Sequence, residues 1–267
     1  MQCTPAARRR VLLVTTSMGT RWEAYSQTLL RLLLPEWNRL VIDGRRDWSP
    51  TGFVSTVIKQ EVDFVVHVDE DCFLESRSAM LRLIEAFEND PTLVAAGIPD
   101  GGCYYRDRNP AALNLFFTVF RFTALKAAWE SRESWSTLSF QPEFAAQVRD
   151  QCPHLDQHRI RWTEKEPYYP LFWSMLRAGG QFLYLREELR RGIWSSRVRL
   201  TTGQPIAEHL WYLRQWFSDQ VMPGHDCSNR RRYESMAADI RARWRGDPRF
   251  WLQLGAMRAK ALARRWR

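Results

Sequence analysis

No stretch of the chain stays apolar for the roughly 18 residues that a membrane-spanning helix needs, so no transmembrane segment is expected. Arg8, Arg9 and Arg10 precede an apolar run, but Val11 to Val14 is far too short for the core of a signal peptide. Cysteine is scarce. Cys3, Cys72, Cys103, Cys152 and Cys227 are odd in number and widely spaced, and no pair has the spacing of a zinc site. That pattern points to reduced thiols in a cytosolic setting rather than to a disulfide framework. There are no internal repeats, and no low-complexity segment exceeds a basic run at the C-terminal end. Net charge is missing from most of the molecule. From Asn229 to Arg267, twelve Lys or Arg stand against Glu234, Asp239 and Asp247, a net of +9, which equals the net charge of the whole chain. Residues 1–228 are therefore formally neutral.

What remains is a chain of 267 residues, 45% hydrophobic and 26% charged, enough for one large α/β domain or a domain with an extension. Thirteen tryptophans supply planes that suit stacking on sugars or bases as well as core packing. The stretch that organises the chain is Asp63-Phe64-Val65-Val66-His67-Val68-Asp69-Glu70-Asp71-Cys72-Phe73-Leu74. Its β-branched run reads as a buried strand of a mostly parallel sheet, with His67 in the core. It ends in three carboxylates, where open α/β sheets bind ligands. Asp69 and Asp71 are two apart and would point the same way in an extended segment. Such a pair suits a hard divalent cation that also takes phosphate oxygens; a merely solvated acidic strand end is the alternative.

Around this stretch the chain alternates strands and helices. Val11 to Thr16 predicts a first strand. A helix follows, with Thr20 as N-cap and Glu23 three residues on in a capping-box pattern, ending before Pro35. Arg39 to Ile42 predicts a second strand ending at Asp43. A loop from Asp47 to Gly52 leads into a short helix, a further helix runs from about Ser78 to Asn89, and Thr92 to Ile98 predicts a fourth strand. This pace indicates an α/β layer fold with parallel strands.

The segment Val41-Ile42-Asp43-Gly44-Arg45-Arg46-Asp47-Trp48-Ser49, followed by the Asp63 to Asp71 strand, resembles the nucleotide-sugar-binding half of GT-A glycosyltransferases, in particular the family 2-like, inverting kind. The resemblance implies a GT-A domain over residues 1–228. It implies that Thr16, Ser17 and Asp43 line a base and ribose pocket, and that Asp69, Glu70 and Asp71 meet the diphosphate, with Asp69 and Asp71 on Mn²⁺ or Mg²⁺. Turn chemistry accounts equally for Asp43 and Asp47. In the resembled family the turn Pro99-Asp100-Gly101-Gly102 faces donor sugar and acceptor, which makes Asp100, Gly101 and Gly102 candidate sugar contacts. Asn109, Asn114 and the aromatic run to Phe120 offer hydrogen bonds and either a stacking platform or core. Trp162 to Arg177, with Ala178-Gly179-Gly180 and the strand Gln181 to Leu185, resembles the family's acidic helix start, helix, stop and strand. Glu166 is carried over as the base that deprotonates the acceptor, with Glu164 second, although the family's usual Glu-Asp pair is missing and Glu166 lies about two residues too far from Ala178. Helix-terminus electrostatics is the alternative for Glu166. In Glu208-His209-Leu210-Trp211, His209 fits a place where the family completes the metal site, with His225 as rival and Trp211 as a sugar contact.

The implied activity is transfer of a sugar from a nucleoside-diphosphate sugar, UDP-linked by preference, to an acceptor hydroxyl, with inversion. The chain would be cytoplasmic. One alternative is a nucleotidyltransferase, but Thr15 to Arg21 has one Gly and one Arg where that chemistry calls for a Gly-rich, basic loop. Another is a non-enzymatic module binding nucleic acid or membrane. Residues 229–267 form a basic, amphipathic helical tail. Tyr233, Met236, Ala237, Ile240 and Trp244, then Phe250, Leu254, Met257, Ala261 and Trp266, recur at helical spacing. Aromatic apolar faces with basic polar faces suit the surface of an anionic membrane, where a lipid-linked acceptor would lie; packing on the domain is the competing account.

Overall fold

A computed structural model describes residues 9–46, 49–102, 106–190, 195–211 and 228–265. Arg8, Asp47, Trp48, Cys3, Cys103, Cys227, His225 and Trp266 lie outside them. In chain order the elements are β1 (Val11–Ser17), α1 (Trp22–Leu33), β2 (Asn38–Asp43), α2 (Pro50–Val57), β3 (Phe64–Val68), β4 (Cys72–Leu74), α3 (Arg77–Asn89), β5 (Leu93–Pro99), β6 (Leu113–Arg121), α4 (Phe122–Glu130), α5 (Phe144–Gln151), α6 (Tyr169–Arg177), β7 (Gln181–Tyr184), β8 (Arg186–Arg190), β9 (Ser195–Arg199), β10 (Pro205–Leu210), α7 (Ser228–Arg243) and α8 (Pro248–Arg265).

The fold is a mixed α/β architecture with a mostly parallel central sheet, flanking helices and a C-terminal helical extension. The central sheet has the strand order β2-β1-β3-β6-β5-β7. Pairs β2–β1, β1–β3 and β5–β7 are parallel. Successive residues of β1 go to opposite faces, as strand alternation requires: Val11 and Leu13 join the core against α1 and α3, while Leu12 and Val14 join the core against α2, α4, α5 and α6. With both faces covered, the strand must be apolar throughout, which is why it reads as a continuous hydrophobic run.

The sheet departs from the expected parallel order in one place. The aromatic stretch Leu113–Arg121 is strand β6, inserted antiparallel between β3 and β5. Phe117, Val119 and Phe120 are fully buried there. Their size and lipophilicity suit the centre of a sheet covered on both faces, so this stretch is core and not a surface platform. A second sheet, β4-β10-β9-β8, is wholly antiparallel and lies over the α1 and α3 face, with Val198 and Ile206 in the same core.

Helix boundaries follow local chemistry. Ser49 and Ser76 cap α2 and α3 by accepting from the amides of Gly52 and Ala79. The Ala-Gly stop ends α6, with Gly179 at φ +83° and the Gly180 amide on the Met175 carbonyl, a left-handed C-terminal cap. The capping box expected at Thr20 does not form. The Thr20 hydroxyl accepts from the Trp22 amide, but Glu23 turns to the Ser17 hydroxyl, and the Thr20 amide is taken by Glu70. Cys72 and Cys152 are free thiols; burial pushes Cys152 up to about 12.

The extension packs back on the α/β body. Ala237, Ile240, Phe250, Leu254 and Met257 form one apolar cluster with Trp22, Tyr25 and Leu29 of α1 and Phe73 of β4. Arg243 reaches both Glu75 and Glu208, and the Arg258 guanidinium donates to the Tyr25 hydroxyl at 2.9 Å. Of the apolar stripe expected to meet a membrane, the five extension residues of that cluster pack against α1 and β4, while Trp251 stays 42% exposed. Among the described residues no helix is long and apolar enough to cross a membrane. Phe250→Ala should therefore cost about 3–5 kcal/mol of stability in urea unfolding, while Trp251→Ala, at a residue 42% exposed, should stay within about 0.5 kcal/mol. Equal small effects at both positions would contradict this packing.

Candidate active site

Three consecutive acids follow β3, and they go three ways. The strand ends at Val68, and a turn closed by the Cys72 amide on the Asp69 carbonyl carries the chain into β4. The two-residue alternation that would aim Asp69 and Asp71 alike therefore stops one residue before Asp69. Asp69 is partly exposed, with Oδ1 3.9 Å from His67 Nε2. Glu70 is fully buried. Its carboxylate accepts from the Ser17 hydroxyl at 2.8 Å and from the amides of Met18 and Thr20 at 3.0 and 3.3 Å. It thereby holds the loop between β1 and α1 closed on itself.

Asp71, also buried, meets His209 across the second sheet. Antiparallel pairing sets His209 opposite Cys72, and the Leu210 amide donates to the Asp71 carbonyl at 3.0 Å. The result places Asp71 Oδ1 3.5 Å from His209 Nε2. The imidazole stacks on the Phe116 ring, 3.7 Å between centroids and 4° from parallel, and Trp211 meets it edge-on. The Trp211 indole donates to Ser196 at 2.6 Å, so this tryptophan is a wall of the site, 4% exposed. His209 Nδ1, the ring nitrogen that does not approach Asp71, is buried without a hydrogen-bond partner, a costly state.

Among the described residues no three His, Cys, Asp or Glu side chains converge as a metal cluster. The protein groups at hand are the Asp71 carboxylate and the His209 imidazole. Two ligands fall short of a closed cage, but a hard cation that binds through one or two carboxylates and substrate phosphates needs no more. The Asp71 carboxylate oxygen and His209 Nε2, 3.5 Å apart, are a donor pair that fits such an ion.

The remaining expected residues are placed as follows. The Thr16 hydroxyl lies 2.9 Å from His67 Nε2; because His67 Nδ1 faces the Leu115 carbonyl, Nδ1 carries the proton and Nε2 accepts from Thr16. Ser17 bridges Glu23 and Glu70. Asp43, at the end of β2, is gripped by Arg45 through Nε at 2.8 Å and Nη2 at 2.7 Å; that bidentate bond holds the carboxyl below its usual range.

Asp100 sits at the centre of a buried knot, 0% exposed. It accepts from Arg106 Nε and Nη2 at 3.1 Å, from the hydroxyls of Tyr168 and Tyr169 at 2.6 and 2.8 Å, and from Asn114 at 2.6 Å. Burial pushes its carboxyl up, while the guanidinium and the two hydroxyls pull it back down. Burial also pushes the Tyr169 phenol up. Asn109 belongs to the same wall, with its amide on the Trp162 carbonyl and the Tyr169 hydroxyl accepting from its backbone. Gly101 is obligatory there, since a Cβ would fall 1.8 Å from the Arg108 carbonyl oxygen. Gly102 has φ +73°. The knot reaches Glu166 through Arg106 at 3.1 Å, and Arg108 Nε donates to the same Oε1 at 2.7 Å. Glu164 is more exposed and lies 3.9 Å from Arg108.

Sequence reasoning passed over Arg106, Arg108, Tyr168, Tyr169 and Phe116. The one signal for Arg106 was indirect: an acid directly after a buried strand needs a cation. Phe116 was masked by its aromatic neighbours.

No family model matches the chain, and no curated protein matches it. Among solved structures, a glycosyltransferase involved in the glycosylation of the major capsid of PBCV-1 is 14% identical, covering 60% of this chain and 83% of its own, with a TM-score of 0.33. Mouse xyloside xylosyltransferase 1, apo form, is 14% identical over 66% of this chain and 84% of its own, TM-score 0.34. CMP:2-keto-3-deoxy-manno-octonic acid synthetase, complexed with CTP, is 10% identical over 66% and 89%, TM-score 0.35. Overlaps at these scores carry no assignment.

The knot makes a prediction of its own. Asp100→Asn removes the charge that compensates buried Arg106 and turns an amide donor toward other donors. It should cost about 3–5 kcal/mol, read as a lowered urea midpoint; an unchanged midpoint would show that Asp100 does not organise this wall.

Proposed function

We propose that the chain is a metal-dependent glycosyltransferase of the GT-A type, moving a sugar from a nucleoside-diphosphate sugar, UDP-linked by preference, to an acceptor hydroxyl with inversion. The observation that carries this reading is the 3.5 Å approach of Asp71 Oδ1 to His209 Nε2 at the carboxyl edge of β3, where open α/β sheets take their ligands. Asp71 and His209 would hold Mn²⁺ or Mg²⁺, with Asp69 as the exposed neighbour. When bound, such an ion neutralises charge on a departing diphosphate.

The chain's own groups do the rest. Thr16 and Asp43 end adjacent parallel strands, with Thr16 in register with Ile42, so they frame one edge of the donor pocket. Phe116 and Trp211 fix the His209 ring plane. Glu166 would accept the acceptor's proton as the hydroxyl attacks the anomeric carbon. Both guanidinium bonds land on its Oε1, which orients the carboxylate. Asp100 acts on Glu166 only through Arg106 and is a positioning residue.

The nucleotidyltransferase alternative calls for a loop after β1 whose amides cradle phosphates. Here the amides of Met18 and Thr20 are turned onto Glu70 and that of Gly19 onto Ser17. This favours glycosyl transfer.

A thermal-shift series with UDP tests the reading, since a ligand that binds only the folded state raises its melting point. UDP should stabilise the chain with Mn²⁺ and far less with a chelator, and Asp71→Asn and His209→Asn should each lose the difference while remaining folded. A shift that survives both substitutions would exclude this pair. For the base, Glu166→Gln should lower turnover about 10²-fold or more with UDP binding retained; full turnover in that variant, or the same loss in Glu164→Gln alone, would remove Glu166 from the role.

A further inference from the structure

The junction between the α/β body and its C-terminal extension contains a cavity of about 370 Å³, lined by Gln27 and Arg31 of α1, Arg39 and Val41 of β2, and Met257 and Lys260 of α8. It lies on the outer edge of the central sheet, because β2 is an edge strand. Its charge is of one sign. Three cationic side chains face it, no acid lines it, and among the described residues none of the three forms an ion pair.

The polar groups in the wall are incompletely used. Arg39 Nη1 donates to the Leu34 carbonyl at 3.0 Å, but Arg39 Nε is buried without a partner, and so is Arg31 Nε. Gln27, 4% exposed, spends one amide hydrogen on the Thr15 hydroxyl at 2.7 Å. Two buried guanidinium donors left unbonded in one cavity wall are costly, and their like charges add to the cost. Burial, and then the charge of Arg31, lowers the Arg39 guanidinium from its ordinary value. A doubly charged oxyanion would satisfy both Nε donors and neutralise the repulsion. Paired arginines suit phosphate oxygens through their planar forks, and a lysine adds a point charge.

We propose that this cavity is a binding site for a phosphate-bearing small molecule, separate from the donor pocket, with Arg31, Arg39 and Lys260 as the cationic contacts. The volume exceeds the needs of one water and falls at the lower end of cavities that take small organic ligands, roughly 300–1,000 Å³. The apolar share of the wall, Val41 and Met257, gives a carbon skeleton somewhere to rest. Because α8 supplies one wall and α1 and β2 the other, occupancy clamps the extension onto the body.

Calorimetric titration of the full chain with inorganic pyrophosphate, in the presence of a chelator, tests this. Wild type should bind at one site. Arg31→Gln and Lys260→Gln should each weaken binding about tenfold or more. Arg249→Gln, an equal charge change at an exposed residue paired with Asp247, should leave the dissociation constant unchanged, and so should Asp71→Asn, which separates this site from the donor pocket. Lys260 is exposed, so its replacement keeps the test valid if Arg31→Gln unfolds. A parallel arm asks whether the phosphate comes from a lipid head group: phosphatidylcholine vesicles carrying a phosphoinositide either leave the chain in the supernatant, giving a soluble ligand, or pellet it in a pyrophosphate-competed manner, giving a head group. Binding lost in Asp71→Asn, lost equally in Arg249→Gln, unaffected by the cavity substitutions, or absent altogether would overturn the proposal.

Discussion

The short antiparallel pairing of β4 with β10 is the constraint on which the rest of the molecule depends. Three residues of β4 follow the acid-bearing turn directly, and β10 arrives from more than a hundred residues away to pair with them. That register sets His209 beside Asp71, and it also sets Glu208 on the opposite side of the strand, where Arg190 and Arg243 meet it at 2.6 and 3.2 Å. One strand thus serves two faces. The inner one gives the site its imidazole, and the outer one gives α7 its anchor. A slip of one residue would exchange the two faces, placing an acid against Phe116 and a histidine among arginines.

The second organising feature is the consumption of acids by the scaffold. Glu70 and Asp100 stand at strand ends where a ligand could have met them, yet both are fully buried and saturated by internal donors. Glu70 fixes the loop from β1 to α1, and Asp100 fixes the approach to α6. Burying a carboxylate is costly unless every oxygen is satisfied. Here five donors around Asp100 and three around Glu70 meet that demand. Asp69 and Glu166, by contrast, keep part of their side chains exposed, 17% and 20%.

This division explains what could be read from the sequence. The strands β1, β3 and β5 were legible because both-face burial makes them almost uniformly apolar, whereas β2, a half-buried edge strand, showed only the short run Leu40 to Ile42. His209 was expected after the last strand and instead lies inside β10, opposite Cys72. The central antiparallel strand β6 was not legible as such. Its residues are aromatic on both faces, and no local signal says whether a buried run lies parallel or antiparallel to its neighbours. The different directions of Asp69, Glu70 and Asp71 were invisible because they depend on a turn that starts at Asp69, directly after the strand. The amphipathic pattern of the extension was plain, but the identity of the surface covering it was not; α1 supplies that surface with Trp22, Tyr25 and Leu29.

The account rests on Asp71 and His209 acting together toward one ion. The most direct measurement is a crystal structure of the full chain with UDP and Mn²⁺, with anomalous scattering recorded at the manganese edge. The account predicts one peak at coordination distance from both Asp71 Oδ1 and His209 Nε2, with diphosphate oxygens completing the shell. A nucleotide bound with its manganese elsewhere, or an undisturbed Asp71–His209 pair beside an ordered UDP, would contradict it.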